Sequence, residues 1–80
     1  MQEFLERLKK ALPQLDLSEQ DHGQVVADVA TIEAQLAAPR PNRDIIGAAG
    51  RTLSAILLGV GGNLATDLLK LLVSTLHITL

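Results

Sequence analysis

The sequence predicts an all-α protein: a short N-terminal helix, an antiparallel helical hairpin, and a C-terminal helix after a glycine break. Three observations lead there. Apolar residues return every three to four positions in each segment, the period of a helix face rather than of a strand. Prolines, glycines and capping residues stand between those segments. The apolar mass is Leu, Ala, Ile and Val, with Phe4 the single aromatic residue among 80, a composition suited to helix-on-helix packing. Hydrophobic residues make up 48% and charged residues 20%, which excludes an intrinsically disordered chain.

The whole of 1–80 reads as one helical domain. A chain of this length buries only about 60% of its extended surface, so apolar faces outnumber the places to hide them. Cysteine is absent, which removes disulfides, thiol nucleophiles and thiolate metal sites. A net charge of −2 gives no general attraction to nucleic acid.

Within the first helix, expected over 1–12, Phe4, Leu5, Leu8 and Leu12 share one stripe and Pro13 stops it. Glu3 and Glu6 precede Arg7, Lys9 and Lys10, the order that the helix dipole favours. No long apolar stretch follows a basic start, so this is not a signal peptide. Residues 13–17 are a connector. Ser18 then opens a capping-box variant with Asp21 in the position of the usual Glu or Gln.

The second helix, 18–38, carries His22, Val25, Val29, Ile32 and Leu36 on a heptad seam. Its outer face is expected to hold Glu19, Asp21, Asp28 and Glu33, with no Lys or Arg between 11 and 39. Pro39 and Pro41 push Ala38 and Arg40 toward extended geometry, and Asn42 is a good N-cap. A tight turn between two amphipathic helices predicts an αα-hairpin.

The third helix, 43–60, repeats Ile46, Ala49, Leu53, Ile56 and Val60 at the same spacing as its neighbour. A second stripe is all small: Ala48, Thr52, Ala55, Gly59, Gly62 and Thr66. Small side chains let another backbone approach closely. Gly59, Gly61 and Gly62 would together destabilise a helix interior by roughly 3 kcal/mol against alanine. A break near Gly61–Gly62 with Asn63 as cap is therefore expected; the alternative is one helix from 43 to about 76. The last helix, 63–76, bears Leu64, Leu68, Leu71, Leu72 and Leu76, and the tail from His77 onward reads as frayed or β-prone.

Chemical signals are weak. Ser18, Asp21 and His22 could be assembled into a triad, but a helix start already accounts for Ser18 and Asp21, and no nucleophile elbow accompanies them. Asp16, Glu19, Asp21 and His22 lack the paired His or Cys of a zinc site. Gly59–Asn63 lacks the Lys-Ser/Thr ending of a phosphate loop. Arg40, Arg43 and Arg51 are too few for a nucleic-acid face, and residues 1–38 (net −4) and 39–80 (net +2) are expected to attract each other. No enzyme, cofactor or metal is expected. Thr52–Thr66 is an uncharged run of 15 residues, shorter than the roughly 20 needed to span a bilayer, yet able to lie at a membrane interface.

One run is familiar in type. Asp28–Asn42, with its Gln-Leu-x-x-Pro-x-Pro-Asn turn, and then Ile45, Ile46, Leu53, Ile56, Leu57, Gly59 and Gly62 resemble a tail segment of small, poorly characterised bacterial proteins, some associated with defence or inter-microbial conflict. The similar part covers about residues 25–72. The resemblance implies a bacterial origin and an accessory role and carries over no catalytic residue; a cytoplasmic location is expected.

The function expected from all this is self-association as a dimer or larger homo-oligomer. Val25, Val29, Ile32 and Leu36 should pack on Ile46, Leu53, Ile56 and Val60. Ala48, Thr52, Ala55, Gly59, Gly62, Leu64, Leu68, Leu71, Leu72 and Leu76 should form the interface. The alternatives are a membrane-interfacial domain using 52–80 and an adaptor for one unrelated protein.

Overall fold

Local chemistry places each helix end in the computed structural model, which describes residues 1–76. Helix α1 spans Gln2–Ala11 and tightens into a short 3-10 turn at Leu12–Gln14 that takes in Pro13. Helix α2 spans Glu19–Ala37, α3 Arg43–Val60 and α4 Gly62–Leu76. The Ser18 hydroxyl accepts from the Asp21 amide at 3.1 Å. Asn42 Oδ1 accepts from the amides of Asp44 (2.9 Å) and Ile45 (3.3 Å). Ala38 is extended, with ψ 147°, as the following proline requires. The Gln35 side chain reaches over the turn and accepts from the Asn42 amide at 2.9 Å.

The glycine break is real. Gly61 (φ 71°) and Gly62 (φ 83°) both have positive φ, a conformation that side chains with a Cβ resist. Asn63 is not the cap, because α4 already begins at Gly62 and places Asn63 inside its first turn. The expected tail at 77–80 lies outside the described residues.

Packing follows chain order: α2 lies on α3, α3 on α4, and α1 returns to cover α4. The core joins Phe4, Leu5 and Leu8 to Val25, Val29 and Ile32, to Leu53 and Leu57, and to Ala65, Leu68 and Leu72. The radius of gyration, 11.7 Å, equals the value of about 11.6 Å expected for a globular chain of this length. Lys9 and Glu33 tie α1 to α2 at 2.7 Å, a half-exposed pair worth under about 1 kcal/mol.

Three sequence expectations need correction. Leu57 is buried, while Ile56 and Val60 are only partly so, so α3 is rotated slightly from its expected seam. His22 is exposed and the α2 seam starts at Val25. Asp28 does not belong to the outer face: it is 7% exposed.

Candidate interaction surface

Helix α3 has two small-residue stripes, and the fold uses the one that periodicity did not single out. Gly50 and Ser54 are buried, as is Ala65 on α4. A Cβ at Gly50 would meet the terminal methyl of Leu76, which would have to turn aside, and would rest against Leu72 at ordinary contact distance, so the Leu76 side chain of α4 seats on the bare backbone here. The Ser54 hydroxyl donates to the Gly50 carbonyl at 2.9 Å and needs no other partner.

The other stripe stays outside. Ala48, Thr52, Ala55, Gly59, Gly62 and Thr66 are all exposed. Thr52 Oγ1 donates to the Ala48 carbonyl and Thr66 Oγ1 to the Gly62 carbonyl, so these hydroxyls are satisfied within their own helices. Nothing lies within 4 Å of a Cβ built at Gly59. Larger apolar side chains flank the stripe: Leu58 is 67% exposed, Ile45 39% and Leu64 37%. Leu58 and Leu64 stand on either side of the α3–α4 turn, at one end of the bundle.

The expected interface is narrowed accordingly. Leu68 and Leu72 are buried against the chain's own core, so neither is free for a second molecule. Leu71 and Leu76 are partly buried, while Leu64 remains outside. α4 turned its leucine arc inward because α1 and α3 both needed it as a packing surface. Leu58 was missed from sequence, although it carried a signal: it is a leucine on neither the core seam nor the small stripe.

The charges are also arranged differently from expectation. Among the described residues the ion pairs are Lys9–Glu33 and Arg7–Glu3, both within the first half of the chain. Arg40, Arg43 and Arg51 are exposed and make none. Arg40 and Arg43 sit by the carboxyl end of α2, about 25 Å along the helix from Glu19 and Asp21, so those acids are out of reach.

Ser18 and Asp21 form the α2 cap, and Gly59–Asn63 spans the end of α3, Gly61 and the start of α4. Among the described residues no group of three His, Cys, Asp or Glu could hold a metal ion, and no helix is long and apolar enough to cross a membrane.

Asp28 is the one buried acid. Its Oδ1 accepts from Gln24 Nε2 at 3.0 Å, and its Oδ2 has no partner among the described residues. Burial pushes its carboxyl above the usual 3.8, a rise only partly opposed by the Gln24 bond. The folded state therefore holds this proton more tightly than the unfolded chain. Stability is favoured at low pH and declines as pH rises from the ordinary value through the raised one. Asp28→Asn should raise the thermal midpoint by a few degrees at pH 7. That gain should shrink once both proteins are neutral at this site in acid, as paired melts at pH 7 and pH 3.5 would measure.

Searched against protein families, curated proteins and solved structures, the chain has no significant match. The surface must be read from its own physical chemistry.

Proposed function

We propose that the protein is a non-enzymatic helical module that associates with further copies of itself through the apolar side chains around the α3–α4 turn. The observation that carries this reading is Leu58, two-thirds exposed within a 15-residue stretch that lacks any charge. A leucine side chain moved from water into an apolar contact contributes about 1.5–3 kcal/mol, and Leu64 and the near end of the open ridge, at Ala55 and Gly59, add to the same surface. The resemblance noted in the sequence supports placing this module as an accessory to a larger bacterial system.

The membrane-interfacial reading uses the same stretch. It is the weaker one, because Asp16, Glu19, Asp21 and Asp67 stand at the same end of the bundle and carboxylates disfavour approach to anionic lipid headgroups. An adaptor for an unrelated protein would need the same surface and would leave the isolated chain monomeric.

Leu58→Gln tests the proposal. The side chain is exposed, so the fold should keep its thermal midpoint, while loss of the leucine's apolar contact, about 1.5–3 kcal/mol, should weaken association by 10-fold or more in dissociation constant. Sedimentation equilibrium reads this directly. A natural chain that stays at 8.5 kDa up to high micromolar concentration would refute self-association.

A further inference from the structure

We infer that copies join head to tail: the apolar tip at the α3–α4 turn of one chain enters a groove at the opposite end of the next. This rests on the self-association reading and specifies its geometry. The antiparallel course of α2 and α3, and of α3 and α4, sends the two ends of the molecule apart. At one end lie the α3–α4 turn, the start of α2 and the connector after α1, with Leu64 beside Gln14 and Ala11. At the other lie the α2–α3 turn, the start of α1 and the close of α4. There, Met1, Leu36, Ile46, Gly47 and Leu76, with Arg43 at their side, line an open groove of about 450 Å³. It has room for the side chains of Leu58 and Leu64.

Charge complementarity selects a second copy as the occupant. The tip end carries Asp16, Glu19, Asp21 and Asp67, none in an ion pair among the described residues. Lys10 is the cation beside Asp67 there, and Arg7 nearby is bonded to Glu3. Among the described residues the groove end carries Arg40 and Arg43 without ion-pair partners, with Asp44 as a neighbouring acid and Glu3, bonded to Arg7, in the first turn of α1. Tip against tip would oppose four carboxylates to four, whereas tip against groove sets them near two arginines and inserts leucine into an apolar recess. Interfaces made from two different surfaces do not stop at two copies: they close into rings or continue as filaments.

Two variants and their mixture test this. Leu58→Gln removes the tip's apolar contact without offering a charge to Arg43. Gly47→Glu disables the groove, and its Cβ meets nothing within 4 Å, so the fold tolerates it; thermal melts verify both. In sedimentation velocity the natural chain should grow past dimers as concentration rises, and each variant alone should run at the monomer mass of 8.5 kDa. The equimolar mixture should form a complex of one copy of each and stop, because one supplies an intact groove and the other an intact tip. If the natural chain associates but the mixture stays monomeric, or Gly47→Glu assembles like the natural chain, head-to-tail docking is overturned while self-association stands. If the natural chain never associates, both readings fall together.

Discussion

Phe4→Ala should destabilise the protein by about 3–5 kcal/mol, the usual loss for emptying a buried aromatic site. A domain of this length has a total stability of about 4–12 kcal/mol, so the loss is a large part of what holds it folded. Phe4 is fully buried and is the bulkiest side chain available to the core. Its helix is ten residues long, too short to persist in water by itself. Only packing against α4 and its neighbours holds α1 in place, with little help from the Lys9–Glu33 pair. Urea unfolding followed by helical circular dichroism should show the midpoint falling by about a quarter or more. A change below 1 kcal/mol would mean that α1 is not integral to the core.

Gly61→Ala should also destabilise, by about 1–3 kcal/mol. Gly61 sits at φ 71° and ψ −172°, a region open in practice to glycine alone. The same substitution two residues earlier should have the opposite sign. Gly59 lies within α3 on open space, where alanine gains up to about 1 kcal/mol of helix propensity. The contrast separates the broken helix from a continuous one. Were α3 and α4 one helix through this region, alanine at position 61 would stabilise, just as at 59. Thermal melts of the two variants beside the natural chain decide it.

The candidate surface was only partly legible in sequence. The ridge at Ala48, Thr52, Ala55, Gly59 and Gly62 was visible as a repeat of small residues, and it is exposed as expected. Leu68 and Leu72 sit on a leucine arc wide enough to face either inward or outward, and periodicity holds no information about which. Leu58 escaped notice because it belongs to no stripe. Asp28 was assigned to the solvent face along with Glu33, although a carboxylate can end in a helix interface when its neighbours Val25, Val29 and Ile32 draw that face inward.

What the amino-acid order determined unaided is where each helix begins and ends. Ser18 and Asn42 satisfy amides two or three residues ahead, Pro39 bars Ala38 from helical geometry, and Gly61 with Gly62 permits a backbone turn closed to other residues. All of these act within a few positions, so no distant partner is needed to read them. What only the folded molecule decided is the rotation of each helix about its axis. Leu57 rather than Ile56 faces the core, Gly50 rather than Gly59 receives α4, and Leu72 lies inside while Leu58 lies outside. Neighbouring stripes on a helix differ by a fraction of a turn and here are almost equally apolar, so the choice falls to the combined packing of α2 and α4 on α3 and of α1 on α4.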